Sequence, residues 1–167
     1  MSQQPLFTTP IYIPAYTANN QALLITYDLS ATSQTKRSLE THGPLAEALT
    51  RALHRAIDIL CNLNTAWRPL HYFAYHLSCK HTHFIVKDTR SAGLSLVIAL
   101  FNLHRQQHLK PPINTLVGTG MLRNDGTIEA SHQEALKKTA ISPFQHKQLI
   151  TSSTCAHVFE VAQFMEK

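Results

Sequence analysis

Apolar and polar positions follow different rhythms along the chain, and each rhythm predicts a different element. In residues 44–63, PLAEALTRALHRAIDILCNL, the positions Leu45, Leu49, Ala52, Leu53, Ala56, Ile57 and Leu60 recur at helical spacing on one face. Arg51, Arg55 and Asp58 fall on the other side, and Pro44 suits a first helical position. A second helix, from Ser91 to about His108, is apolar nearly all round. Such a helix belongs in the centre of a fold, with Leu96, Val97, Leu100 and Phe101 buried. Pro111 and Pro112 stop it. SHQEALKKTAI opens with Ser131 and Glu134 in capping-box spacing and predicts a third helix. CAHVFEVAQFMEK predicts a final amphipathic one.

Between the helices the pattern is strand-like. ALLITYDL (22–29) reads as a strand, and SATSQTKRSLETHG (30–43) as a polar, turn-rich stretch with a short strand at its end. LHYFAYHLS (70–78) and HTHFIVKD (81–88) read as two strands joined tightly at Cys79-Lys80. INTLVGTGML (113–122) is strand-like, Asp125-Gly126 signals a hairpin, and KQLITSS (147–153) holds a short strand. Residues 1–19 carry Pro5, Pro10 and Pro14 and are expected to be an extended segment ahead of one domain, 20–167. Strands and helices interleave without an internal repeat, so the class is α/β or α+β.

Composition then narrows the function. The 167 residues are 44% hydrophobic and 15% charged, which argues for a real core and against disorder. The net charge of +5 permits anionic partners, but Lys and Arg are scattered and there is no aromatic–basic motif. A nucleic-acid partner therefore ranks last. The three cysteines, Cys61, Cys79 and Cys155, show neither paired nor zinc spacing, as expected of reduced thiols in the cytoplasm. The N-terminus lacks the n- and h-regions of a signal peptide, and the longest apolar run is too short for a bilayer. No glycine-rich phosphate loop ending in Gly-Lys-Ser/Thr occurs, so no ATPase engine is encoded.

One stretch raises a chemical question: KDTRSAGLSLVIALFNL (87–103) runs from charge through Ser91 into the apolar helix. Either Ser91 only caps that helix, or the helix holds Ser91 in place. A helix N-terminus offers unpaired N–H groups and partial positive charge, which suit an oxyanion. Ala92 and Gly93 are small enough for a substrate to approach the backbone. A nucleophilic serine needs a base, and a lysine held neutral by burial can serve. With Leu136 at zero on a wheel of ~100° per residue, Ala140 falls near ~40°, Lys137 near ~100° and Ile141 near ~140°. Lys138 falls near ~200°, toward solvent. Lys137 is the better placed to lose its proton, although a lysine on an apolar edge commonly just snorkels.

These residues resemble a family. KDTRSAG is similar to the KDGPSAG motif around the catalytic serine of Lon proteases. SLETHGPLAEALTRALHRAI resembles the segment before and along the first helix of the Lon proteolytic domain, and HTHFIVKD its H-x-H strand leading to the serine. GTGMLRNDGTIEASHQEALKK resembles the family segment that ends at the catalytic lysine. Thr119 and Gly120 match its T-G, Gly126 matches a later glycine, and counting on without a gap puts the lysine at Lys137. The likeness covers roughly residues 20 to 165, with a shortened loop before Ser91.

The resemblance implies a stand-alone Lon-like fold. Ser91 would attack a peptide carbonyl, and Lys137 would take its proton. Thr119 matches a family position near the lysine, and Asp88 the acidic residue three before the serine. Asp88 has an equal claim as a helix-entry cap or a partner of Lys87 or Arg90. The implied substrates are peptides or unfolded segments. A separate ATPase or adaptor is the implied partner, self-assembly into a ring is suggested by the family alone, and no cofactor, metal or membrane is called for. His81 and His83 on one strand face, and His104 and His108 at i, i+4, lack a third ligand or an HExxH glutamate. Trp67, Tyr72, Phe73 and Tyr75 read as core and sheet residues that could also line a groove. Thr89 and Arg90 replace Gly-Pro, Met121 replaces a Glu, and Ser131-His132-Gln133 replace an Ile-Gly-Gly turn. These departures imply a differently shaped oxyanion loop and lysine-helix start. They leave a second reading open, a weakly active or inactive Lon-like module that binds other proteins.

Overall fold

Two prolines in a ten-residue strand locate the edge of the main sheet. Strand β1, Phe7–Tyr16, contains Pro10 and Pro14 and pairs antiparallel with β2, Ala22–Ser33, from Phe7 opposite Ala31 to Tyr16 opposite Ala22. Proline cannot donate to a ladder, so it is tolerated where a strand has one neighbour and alternate N–H positions face away from it. The two prolines share one parity, and β1 is an edge. The structure, a computed structural model, describes residues 7–16, 19–33, 38–41, 46–63, 73–79 and 90–166. The expected strand at 81–88 lies outside the described residues.

The sheet is completed by β3, Ser38–Thr41, and β4, Phe73–Cys79, in the order β1-β2-β4-β3. β4 runs antiparallel to β2 and parallel to β3. Segment 1–19 is expected to be extended and placed ahead of the domain. Its described part is instead woven into the sheet, because Ile11, Ile13 and Ala15 supply an alternating apolar face.

That face joins a core shared with two helices. Helix α1, Ala46–Leu63, buries Leu49, Leu53, Ala56, Ile57 and Leu60 and exposes Arg51 and Arg55, as its spacing predicts. Helix α2, Gly93–Gln107, is buried at every residue from Gly93 to Leu103. Its two polar members are satisfied inside. The Ser95 hydroxyl donates to the Gly118 carbonyl at 2.5 Å. Asn102 donates to the Ile113 carbonyl at 3.0 Å and accepts from the Ile113 N–H at 2.8 Å. Paired this way, they avoid the penalty of buried, unbonded polar groups.

The remaining elements flank this core. β5, Leu116–Gly118, pairs parallel with β8, Gln148–Ile150. β6, Met121–Leu122, and β7, Ile128–Glu129, form the hairpin that Asp125-Gly126 predicts. Gly126 has φ 88°, and a Cβ there would stand 2.7 Å from both His157 Nε2 and Leu63 Cδ1, so the turn requires glycine. Helix α3, Glu134–Ile141, packs against β1 and β2. Helix α4, Val158–Met165, closes the chain, tied to α2 by Arg105, which donates to the Met165 carbonyl at 3.1 Å. The class is mixed α+β. Among the described residues no helix is long and apolar enough to cross a membrane.

The capping box expected at Ser131 and Glu134 does not form. The residue before α3 is Gln133, held at φ 57° without a side-chain cap, and the Ser131 hydroxyl is turned to Thr119 instead. Tertiary pairing outbid the local cap, because Thr119 is a buried hydroxyl that needs a partner.

Leu100→Ala should lower stability by about 2–5 kcal/mol, since the site is closed on all sides and cannot collapse freely. Leu100→Met should cost under about 1.5 kcal/mol. Urea denaturation measures both, and an unchanged midpoint in Leu100→Ala would place α2 at the surface.

Candidate functional site

The site is built where the start of α2 meets the loop between β5 and β6. Arg90–Ala92 form one 3₁₀ turn ahead of α2. The residue flanking α2 is Ala92, and no side chain caps the helix. Ser91 is therefore not the cap. Its turn is clasped by Gly120, whose N–H donates to the Ser91 carbonyl at 3.1 Å and whose carbonyl accepts from the Leu94 N–H at 3.3 Å. The approach is close: a Cβ on Gly93 would come within 2.9 Å of Leu122 Cβ. The loop is anchored in turn by Thr119, whose N–H donates to the Ile150 carbonyl at 3.0 Å.

The second half of the site comes from α3. The Lys137 N–H donates to the Gln133 carbonyl at 3.2 Å, which places Lys137 in the first turn. Its Nζ lies 2.7 Å from Ser91 Oγ. Ser91 is 2% exposed and Lys137 0%. Ala140 and Ile141 are buried beside it on α3, and Lys138 points to solvent, as the helical wheel predicts. The ring of Tyr16, at the end of β1, has its centroid 5.6 Å from Nζ.

At 2.7 Å two proton arrangements fit: an ammonium donating to the hydroxyl, or the hydroxyl donating to a neutral amine. Desolvation disfavours an ammonium. The N-terminal ends of α2 and α3 both lie at this contact, and their partial positive charge acts the same way. In chemical terms, the pair can pass a proton from a hydroxyl to an amine out of water.

Of the residues singled out in the sequence, the structure brings Ser91, Ala92, Gly93 and Lys137 together. Thr119 is 0% exposed and joins them through Gly120 and through Ser131, Oγ to Oγ at 2.9 Å. Asp88, with Lys87, Thr89, His81, His83, Trp67 and Tyr72, lies outside the described residues. Tyr75 is a core residue. His104 and His108 stack edge-on with centroids 4.5 Å apart, and burial pulls His104 below the usual histidine range. Among the described residues no three His, Cys, Asp or Glu side chains are grouped as a metal site.

Sequence reasoning missed Tyr16 and misassigned Ser131. Ser131 sat in a capping pattern, which hid its tertiary role. Tyr16 gave no signal, because nothing local ties β1 to a helix more than a hundred residues later. No protein-family model and no curated protein matches the chain.

Ser131→Ala should cost about 1–3 kcal/mol, because it strips the Thr119 hydroxyl of this partner inside the fold. Thr119→Val together with Ser131→Ala should cost less than the sum of the single changes. A double-mutant cycle by denaturant unfolding reads the coupling, and strict additivity would mean that the two hydroxyls do not depend on each other.

Proposed function

We propose that this protein is a Lon-like serine peptidase that cuts peptides or unfolded segments with a Ser91–Lys137 dyad. The observation that carries the reading is the 2.7 Å contact between Lys137 Nζ and Ser91 Oγ in a buried site. In this reading neutral Lys137 takes the Ser91 proton as Oγ bonds to the peptide carbonyl carbon. The proton passes to the leaving amine as the C–N bond breaks, and water then hydrolyses the ester. The partial positive charge at the start of α2 would favour the oxyanion.

The resemblance of KDTRSAG and of the Thr119–Lys137 segment to Lon proteases supports the same roles. Gln133 stands where the resemblance has a glycine, and its backbone keeps the left-handed conformation, φ 57°, that glycine adopts freely. In this reading the peptidase acts on loose chains or is served by an ATPase or adaptor, in the cytoplasm; these 167 residues themselves hold no phosphate loop.

One observation favours a second reading. Ser91 is 2% exposed, so a substrate carbonyl reaches Oγ only after its surroundings move. A Lon-like fold that binds proteins without cutting them accounts for a sealed dyad directly.

Turnover of an unstructured peptide decides between them. Ser91→Ala and Lys137→Ala should each abolish cleavage, and the double variant should be no worse than either, since the two groups act as one unit. Lys138→Ala should stay within a few-fold of the parent. Activity should rise with pH as Lys137 loses its proton, because only the neutral amine is a base. A parent that neither cleaves nor reacts with a serine-directed probe at any pH leaves the binding reading.

A further inference from the structure

We propose that Tyr16 is a positioning residue for the dyad, its ring face receiving the ammonium that Lys137 becomes when it takes the Ser91 proton. The inference rests on the peptidase reading and extends it to a residue of the N-terminal strand. When Oγ bonds to the carbonyl carbon, its proton moves to Nζ, and a full positive charge appears on a side chain with no exposure to water. That charge persists until the proton passes to the leaving amine. The Tyr16 centroid is 5.6 Å from Nζ, within the ~6 Å reach of a cation–π contact. Tyr16 is itself 6% exposed, so little solvent screens the attraction.

Among the described residues, Tyr12, Asp28, Tyr27, Arg90 and Lys138 are already engaged, distant, on the other sheet face or exposed. Tyr12, on the same strand, is covered by Lys147, whose Nζ is 3.6 Å from its centroid. Asp28 sits opposite Pro10, six positions along β1 from Tyr16, which is ~20 Å of strand. Tyr27 pairs with Ile11 and has the opposite parity to Tyr16, so it serves the other face of the sheet. Arg90 and Lys138 are exposed. β8 carries no titratable side chain. Glu134 is the exception. It lies one turn before Lys137, and its Oε1 is buried without a hydrogen bond. A carboxylate there would favour the ammonium too, so Glu134→Gln is the necessary control.

The test follows the Lys137 side chain by NMR through a pH titration, using ¹³C-labelled lysine assigned by Lys137→Arg. The variants are the parent, Tyr16→Phe, Tyr16→Leu, Glu134→Gln, and a chain with trifluorophenylalanine at position 16. The last keeps the ring's shape and removes most of its negative face, so it answers the question if Tyr16→Leu unfolds. Tyr16→Phe should titrate as the parent does. Loss of the ring's negative face destabilises the ammonium, so Tyr16→Leu and the fluorinated chain should titrate about one pH unit lower. The acid limb of the peptide-cleavage profile should move with it, with kcat lowered and KM little changed. Parental titration in the fluorinated chain, or an equal drop in Tyr16→Phe, overturns the proposal. A parent that cleaves nothing sinks the peptidase reading, while the titrations still decide whether the ring holds the ammonium.

Discussion

The contact between Lys137 and Ser91 is the constraint to which the surrounding structure conforms. A lysine with no exposure is costly, since its charge must be neutralised or matched. The hydroxyl at 2.7 Å meets one of its needs, but only if two distant pieces of chain stay in register. The Ser91 turn is fixed by both peptide groups of Gly120. The α3 start is fixed through the bond from Ser131 to Thr119, the residue just before Gly120. One short loop therefore holds both halves of the dyad. A shift of an ångström in that loop would separate them, and this explains why buried polar groups gather there.

The two helices make the position more than a hydrogen bond. Both N-terminal ends lie near the contact, and their partial positive charge opposes an ammonium and favours an anion. Tyr16 acts in the opposite sense. A base needs both influences. It must be neutral before it acts and tolerable as a cation afterwards, so an environment that only repelled positive charge would make a poor proton acceptor.

Much of this was legible in the sequence because it rests on local periodicity. The one-sided stripe of α1 and the all-round apolar run of α2 each have one sensible placement. The helical wheel separated Lys137 from Lys138 for the same reason: the step of ~100° between neighbours puts one inside the apolar arc and the other outside it. The reading failed where local and tertiary preferences compete. Ser131-x-x-Glu134 is a valid capping pattern, yet a buried Thr119 hydroxyl claims the serine. Pro10 and Pro14 argue against a strand in isolation, and only the edge position of β1 with its apolar face reverses that. Tyr16 was illegible in principle, because its partner is set by how β1 and α3 pack.

The left-handed Gln133 shows what this arrangement costs. A non-glycine residue at φ 57° is mildly strained, and no side chain caps the helix it begins. A glycine at 133, or a serine turned inward to cap, would relieve the strain locally. The second remedy would release Thr119 and loosen the loop that also carries Gly120. A helix cap and the Thr119 contact therefore compete for Ser131, and the structure has the Thr119 contact. Under the proposed peptidase reading, strain at that point beside an uncapped helix and a buried lysine is accounted for by the need to hold Lys137 against Ser91.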